Sequence, residues 1–246
     1  MLDIKLKDIE NIALKASEVV MQIYNKDFSV EYKDDNSPLT QADIQANKII
    51  CDTLKELYPS IPIMSEENKE VSYDVRKNWS YYWCIDPIDG TKEFVKKNGE
   101  FTINIALIEK DTPVLGVVYA PVLKDMYSAK KGFGAFKNGK QIKNTTSKNT
   151  TIKVVASKSH LNDETKNFIE KLGNVEIVSC GSSLKLCMVA EGKADIYPRL
   201  SPTMEWDTAA ADAVVRESGK MTYNYETDKP MVYNKENLLN SWFVVR

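Results

Sequence analysis

The order of apolar and polar segments predicts an α/β protein of the α+β type. Residues 3–25 carry apolar side chains at helical spacing, and Thr40 is placed to cap a second helix. Residues 102–129 alternate or run apolar in three segments, which is typical of an antiparallel meander, and Asn138-Gly139 favours a hairpin turn. Strands alternate with helices from residue 152 to the end of the chain, which indicates an α/β half.

Each element is predicted from its own pattern. Apolar runs or alternation define the strands, helical spacing defines the helices, and Pro59, Gly192 and Gly219 mark helix ends. The polar stretch 143–150 separates two sublayers, about 1–150 and 151–246, of one catalytic unit. Helices are predicted at 3–25, 40–58, 163–172, 183–191 and 207–218, and strands at 28–32, 61–64, 81–85, 102–109, 113–120, 125–129, 152–156, 175–178, 194–197 and 242–245.

Composition predicts a soluble globular protein and limits the kinds of ligand that we expect it to bind. The chain has 246 residues, of which 43% are hydrophobic and 28% charged, and a net charge of −2. That charge gives no general attraction to a nucleic-acid polymer, although a local site could still bind a small anion. Neither a signal-peptide core nor a transmembrane run is present, so we expect a cytoplasmic protein, with weak peripheral association with a membrane left open.

The side chains available for catalysis are restricted. Four cysteines without Cys-x-x-Cys spacing favour free thiols in a reducing compartment. His160 is the only histidine of the chain and is predicted to lie in a loop before a helix, with a surface or capping role. A multi-histidine zinc site is therefore excluded, and the surface or capping role predicted for His160 disfavours a Ser-His-Asp triad. Any hydrolysis must depend on carboxylates, hydroxyl groups and a metal ion.

The segment from Asp86 to Thr91, with the sequence Asp-Pro-Ile-Asp-Gly-Thr, is the most informative motif. It follows an apolar run and places two carboxylates three residues apart, where they repel each other unless a cation lies between them. Pro87 stiffens the segment, and Gly90 lets the backbone approach a ligand closely. The motif predicts a divalent cation beside a phosphate.

Three further segments place acidic residues at the ends of predicted elements. Glu66 and Glu67 follow the strand at 61–64, and Asp43 and Asp207 stand near the starts of helices. Capping and the helix dipole would explain Asp43 or Asp207 taken alone, so these segments by themselves leave a structural role open.

Together, these motifs resemble the inositol monophosphatase superfamily of metal-dependent, lithium-sensitive phosphatases. The resemblance covers nearly the whole chain, and several ordered motifs are more specific than any single one. It implies a layered αβαβα sandwich of the inositol-monophosphatase and sugar-phosphatase type. The motifs that carry it are Ser65-Glu66-Glu67, Asp86–Thr91, Gly116–Pro121, Lys131–Gly139 and Trp206-Asp207.

The resemblance also implies roles for individual residues. Asp43 and Thr91 would orient and deprotonate the attacking water, and Glu67 would hold a metal-bound water. Amides of Gly90 and Thr91 would bind phosphate oxygens. Two or three Mg²⁺ ions would be held by the side chains of Glu66, Asp86, Asp89 and Asp207 and by the carbonyl of Ile88, all of which except Asp86 would also line the substrate site.

The region from Gly181 to Asp207 is similar to the 3′(2′),5′-bisphosphate nucleotidases. By that resemblance Ser182, Lys185 and Arg199 would contact the nucleotide and its second phosphate. The predicted reaction removes the 3′-phosphate from adenosine 3′,5′-bisphosphate, with the 5′-phosphosulfate analogue as a further substrate, in sulfur assimilation or nucleotide recycling.

Other interpretations stay open at this point. An inositol monophosphatase or a sugar bisphosphatase would share the metal ligands, and a metal- or nucleotide-binding regulator would keep them without turnover. Capping and surface roles for Ser182, Lys185 and Arg199 remain alternatives to substrate contact. A homodimer is compatible with the resemblance, and the sequence does not decide the roles of Phe94 and Trp206.

Overall fold

The computed structural model describes residues 3–32, 38–142, 151–156 and 162–246. His160 and the predicted boundary at 143–150 lie outside the described residues. No helix in the described ranges is long and apolar enough to cross a membrane. The helices are α1 (Leu6–Tyr24), α2 (Gln41–Leu57), α3 (Tyr73–Arg76), α4 (Thr91–Val95), α5 (Asp163–Glu170), α6 (Leu184–Ala190) and α7 (Glu205–Glu217).

The strands form one large sheet and three small ones. The large sheet has the order β3-β4-β5-β6-β7-β8-β9 and is antiparallel except for the parallel pair β3–β4, which confirms the predicted meander. The small sheets are β1-β2, the parallel pair β10-β11, and β12-β14-β13. Their bounds are β1 Glu31–Tyr32, β2 Pro38–Leu39, β3 Ile63–Ser65, β4 Tyr81–Asp89, β5 Thr102–Glu109, β6 Thr112–Ala120, β7 Asp125–Lys130, β8 Gly134–Lys137, β9 Lys140–Ile142, β10 Ile152–Ala156, β11 Val175–Ser179, β12 Tyr197–Arg199, β13 Thr222–Asn224 and β14 Phe243–Val245.

Three hydrophobic cores lie between the helices and sheets of the described residues. Side chains alternate along β4, so that Trp83 and Ile85 pack against α1 and α2, while Tyr82 and Cys84 face α6 and α7. Burial on both faces explains why β4 and β5 read as continuous apolar runs. A third core joins α5 to β10, to Ile196 and to Val244 of β14. The predicted layered αβαβα sandwich is confirmed.

Strand β4 extends further than the sequence patterns predict. The apolar run predicts a strand that ends at Ile85, but the strand continues through Pro87 to Asp89. The register with β5 shifts between Asp86 and Asp89, which is a bulge. Because proline lacks an amide donor, a bulge is where a strand tolerates it.

Helix α7 packs directly on the large sheet. A Cβ added to Gly116 of β6 would lie 2.1 Å from the carbonyl oxygen of Ala210, so only glycine permits this approach. The helix begins at Glu205, two residues earlier than predicted, because the buried carboxylate of Glu205 accepts hydrogen bonds from the amides of Asn234 and Lys235. This anchor fixes the first turn of α7 above the end of β4.

Candidate active site

Three of the predicted carboxylate ligands meet at the end of the large sheet. Glu66 follows β3, Asp86 lies on β4 and Asp207 lies in the first turn of α7. One carboxylate oxygen from each lies within 4.8 Å of one from each of the others. Oxygen donors at this spacing suit a hard divalent cation. Asp89, the fourth predicted side-chain ligand, lies outside this group of three but lines the same cavity.

Backbone amides hold the buried carboxylates in place. Asp86 Oδ1 accepts from the amide of Ile88 at 3.0 Å, and Asp207 Oδ2 accepts from the amide of Met204 at 2.9 Å. Asp89 Oδ2 accepts from the amide of Ser183. In each case the second oxygen of the carboxylate remains for a cation. The capping role left open for Asp207 is therefore compatible with metal binding, since each uses a different oxygen.

Burial and mutual repulsion disfavour negative charge in the cluster. Desolvation raises the pKa of Asp86 well above its ordinary value, and the charges of Glu66, Asp89 and Asp207 raise it further. Desolvation also raises the pKa of Asp207, with Asp89 as the next cause. A bound divalent cation would offset both effects, since it supplies the missing opposite charge.

The pKa of Asp89 is subject to opposing effects. Desolvation raises its pKa to about 6, whereas Lys185 and the amide of Ser183 act in the lowering direction. Lys185 is 7% exposed, and its Nζ donates to the carbonyl of Ser182 at 2.6 Å. The segment that carries the predicted substrate residues thus also fixes a predicted metal ligand.

A buried hydroxyl network supports this contact, and sequence reasoning missed it. Ser183 Oγ lies 2.8 Å from Thr102 Oγ1 and donates to Asn104 Oδ1 at 2.9 Å. Thr102 and Asn104 lie opposite Asp89 and Asp86 in the β4–β5 register. The sequence signal for this network was the presence of two polar residues, Thr102 and Asn104, within the otherwise apolar strand β5.

The predicted water-activating pair is brought together. Thr91 Oγ1 lies 3.5 Å from Asp43 Oδ1 and 3.2 Å from the carbonyl oxygen of Ile88. The other oxygen of Asp43 accepts from the amide of Thr40 at 2.8 Å and from its hydroxyl at 2.7 Å. Asp43 therefore caps α2 with one oxygen and faces Thr91 with the other. Desolvation raises its pKa.

The backbone of the Asp86–Thr91 motif faces the same cavity. Gly90 has a φ of +89°, and a Cβ there would lie 3.2 Å from the Cβ of Ser182. Glycine therefore permits both the turn into α4 and the approach of the substrate segment. Ile88 lines the cavity, whereas the half-buried Glu67 is not among the lining residues.

The predicted substrate residues line the same cavity as the carboxylates. Arg199 Nη2 donates to the carbonyl of Pro202 at 3.1 Å, while its Nε is buried with no partner among the described residues. Ser182 adopts a left-handed conformation with a φ of +47°. Ser182, Lys185 and Arg199 all line a cavity of about 450 Å³ that also contains the carboxylate cluster. That volume is within the range of small-molecule sites.

Comparison with known proteins agrees with this arrangement. Residues 5–242 match the profile of the inositol monophosphatase family. The chain belongs to the inositol monophosphatase family. A relative from Escherichia coli strain K12, named 3′(2′),5′-bisphosphate nucleotidase CysQ, is 45% identical over 98% of both chains. A relative of the same name from Haemophilus influenzae is 37% identical over 98% of this chain and 91% of its own.

Solved structures of the inositol monophosphatase family have the same fold. CysQ from Bacteroides thetaiotaomicron superposes with a TM-score of 0.88 at 43% identity and covers 98% of this chain and 96% of its own. An inositol monophosphatase from Thermotoga maritima superposes with a TM-score of 0.79 at 27% identity and covers 96% of this chain and 89% of its own. The family and fold predicted from the motifs are confirmed. Enzymes of this family are metal-dependent phosphatases, which agrees with the carboxylate cluster.

Proposed function

We propose that this protein is a Mg²⁺-dependent 3′(2′),5′-bisphosphate nucleotidase that hydrolyses the 3′-phosphate of adenosine 3′,5′-bisphosphate. The products are AMP and phosphate, and the related 5′-phosphosulfate is a second substrate. The name shared by full-length relatives at 37% and 45% identity supports this substrate class. The proposed role is the removal of a by-product of sulfate activation, or nucleotide recycling, in the cytoplasm.

The observation that carries the proposal is one cavity lined by both a carboxylate cluster and cationic side chains. The carboxylates of Glu66, Asp86 and Asp207 are spaced for a divalent cation, and the buried Nε of Arg199 lacks a partner among the described residues. An unpartnered buried donor is costly, so the site is complete when an anionic oxygen accepts from Arg199 Nε. A substrate with two separated phosphates would engage both the carboxylate cluster, through a cation, and Arg199.

The donor set fits Mg²⁺. Glu66, Asp86, Asp89 and Asp207 line the cavity and offer carboxylate oxygens, and Ile88, which also lines it, would contribute its carbonyl oxygen. When bound, the two or three ions supply positive charge that neutralises the phosphate and the leaving oxygen. Glu67 would hold a water beside Glu66.

Asp43 and Thr91 would activate the attacking water. Thr91 Oγ1 can accept a proton from water as it donates its own to Asp43 Oδ1, while Thr40 holds the other oxygen of Asp43. Desolvation raises the pKa of Asp43, which brings it closer to the pKa of an effective general base. Amides of Gly90 and Thr91 would orient the phosphate. No covalent protein nucleophile is needed.

The cavity is lined by residues of β4, α4, α6, β12 and α7, and Asp43 of α2 contacts Thr91 at its edge. We therefore propose that the chain acts as one catalytic unit. Assembly as a homodimer is part of the proposal and is testable by analytical ultracentrifugation.

Phosphate release with Mg²⁺ tests the proposal. Adenosine 3′,5′-bisphosphate and inositol 1-phosphate are compared at equal concentrations, with and without Li⁺. We expect strong preference for the nucleotide and inhibition by Li⁺. Preference for the inositol ester would indicate an inositol monophosphatase. Phosphate release from sugar bisphosphates alone would indicate a sugar bisphosphatase. Mg²⁺ binding without release from any ester would indicate a regulator.

Arg199→Ala gives a second test. It should reduce kcat/KM for adenosine 3′,5′-bisphosphate by about tenfold or more, the scale of one charge-assisted contact, and affect a simple phosphate monoester much less. Equal losses on both substrates would contradict the role of Arg199 in substrate selection.

A further inference from the structure

We propose that Thr102 and Asn104 are positioning residues that couple nucleotide binding to metal binding through Ser183. Their side chains hold a serine whose backbone amide binds the predicted metal ligand Asp89 and whose sequence neighbours are predicted to bind the nucleotide. The nucleotide and Mg²⁺ should therefore each raise the affinity of the protein for the other. This inference rests on the proposed function, and it assigns a role to two residues of β5 that no motif predicted.

Ser183 joins two parts of the site that are distant in the sequence. Its amide donates to Asp89 Oδ2, and its Oγ donates to Asn104 Oδ1 at 2.9 Å and lies 2.8 Å from Thr102 Oγ1. The side chains of Ser183, Thr102 and Asn104 are each at most 2% exposed. These hydrogen bonds are therefore formed in a region of low dielectric constant, where they are stronger than in water.

Thr102 and Asn104 lie beside two of the predicted metal ligands. They are two residues apart on β5, so their side chains point to the same face of the sheet. In the register with β4, Thr102 is opposite Asp89 and Asn104 is opposite Asp86. Cross-strand neighbours of this kind have Cβ atoms about 5 Å apart. Ser183 is thus held against the part of the sheet that carries the carboxylates.

Asn104 has a buried donor that packing alone does not explain. Its Nδ2 has no hydrogen-bond partner among the described residues, and leaving a buried donor unpaired is costly. The next two residues on the same face of β5, Ala106 and Ile108, are apolar and fully buried. An apolar side chain at position 104 would pack beside them without that cost. The asparagine is therefore better explained by its bond to Ser183 than by packing of the core.

The residues on either side of Ser183 are those assigned to the nucleotide. Ser182 precedes it, and Lys185 follows two residues later and donates to the carbonyl of Ser182 at 2.6 Å. All three residues line the cavity. A nucleotide that contacts Ser182 and Lys185 restrains the backbone between them and so fixes the amide that binds Asp89. The first ligand to bind thereby lowers the entropic cost of binding the second, which gives positive coupling.

Calorimetry with a nucleotide that cannot react measures the coupling. The probe is 3′-deoxyadenosine 5′-monophosphate, which keeps the 5′-phosphate but has no 3′ oxygen that could be hydrolysed or could coordinate a metal ion. The wild type should bind it about fivefold to tenfold more tightly with saturating Mg²⁺ than with EDTA. The same factor should appear when Mg²⁺ is titrated with and without the nucleotide, because coupling is reciprocal.

Uncharged substitutions isolate the network. Asn104→Leu and Thr102→Val should each reduce the coupling factor to less than about twofold, whereas Thr102→Ser keeps the hydroxyl group and should retain the factor. Asn104→Leu should also keep the urea midpoint of the wild type, since it removes the unpaired donor together with the bond. None of these substitutions changes a charge, so direct electrostatic effects between nucleotide and metal are the same in every variant.

Thr165→Val is the matched control. Thr165 is also buried, at 4% exposure, and its Oγ1 donates to Asn162 Oδ1 at 2.6 Å. It belongs to α5 and takes no part in the network around Ser183. The control loses one buried hydroxyl group, as Thr102→Val does, and should keep the coupling factor of the wild type.

The outcomes separate this inference from the proposed function. A wild type that does not bind the nucleotide, with or without Mg²⁺, would contradict the proposed function and this inference with it. Phosphate release from adenosine 3′,5′-bisphosphate together with equal nucleotide affinity in EDTA and in Mg²⁺ would overturn the coupling alone. A wild-type coupling factor in both Asn104→Leu and Thr102→Val, or an equal loss of coupling in Thr165→Val, would overturn the role of the network.

Discussion

Replacing Asp89 by asparagine should stabilise the metal-free protein while it abolishes turnover. Burial raises the pKa of Asp89 from 3.8 to about 6, a difference of about two units. Since one pKa unit corresponds to about 1.4 kcal/mol, the ionised carboxylate costs about 3 kcal/mol of folding free energy near neutral pH. Asparagine removes this cost and keeps an oxygen that can accept from the amide of Ser183.

The gain should depend on pH in a defined direction. The folded protein binds the proton of Asp89 more tightly than the unfolded chain does, so stability falls as pH rises from about 4 to about 6. The advantage of Asp89→Asn should therefore be absent near pH 4 and complete at pH 7. Asp89 also raises the pKa values of Asp86 and Asp207, so the variant relieves these neighbours as well.

Metal should reverse the order of stability. Mg²⁺ stabilises whichever form binds it, so the wild type should gain unfolding free energy with Mg²⁺ and Asp89→Asn should gain much less. Urea unfolding followed by circular dichroism, with EDTA or with Mg²⁺ at pH 4, 5 and 7, measures both effects. Phosphate release measures turnover on the same samples.

Two results would refute this reasoning. One is a metal-free Asp89→Asn protein that is less stable than the wild type at pH 7, and the other is an equal stabilisation of both proteins by Mg²⁺. Asp163→Asn is the control, because this exposed carboxylate pairs with Lys166 at 2.9 Å and its pKa is lowered. It should give no stabilisation at pH 7.

Three further substitutions test separate parts of the structure. Thr91→Val should lower kcat about 100-fold or more, because it removes the hydroxyl group, while Thr91→Ser should stay active. Equal activity of the two variants in steady-state assays would show that the hydroxyl group takes no part in the mechanism. Gly116→Ala should lower the free energy of unfolding in urea by about 1–3 kcal/mol, because its Cβ would clash with the carbonyl oxygen of Ala210. An unchanged urea midpoint would contradict this close packing. Glu205→Gln should lower the free energy of unfolding by about 3 kcal/mol, since it removes the buried negative charge that faces Lys235. It should also weaken Mg²⁺ binding in calorimetry, and wild-type stability and affinity together would contradict the anchoring of α7.

The sequence predicted those parts of the site that depend on local motifs. Strand β4 and the first turn of α7 are each encoded by a short segment, so the sequence predicts that Asp86, Asp89 and Asp207 lie where an apolar strand and a helix meet the candidate site. Contacts between distant segments could not be predicted in this way. The bond from Ser183 to Asp89 joins residues 94 apart in sequence, and the bulge at Pro87 depends on register with β5.

Phosphorus NMR of the reaction with adenosine 3′,5′-bisphosphate in oxygen-18-labelled water tests the central claim most directly. The proposed mechanism predicts AMP that keeps its 5′-phosphate, together with inorganic phosphate that carries one labelled oxygen from the attacking water. Formation of adenosine 3′-monophosphate would contradict the assignment of the hydrolysed group. Unlabelled phosphate would contradict direct attack by water on phosphorus at the site formed by Asp43 and Thr91.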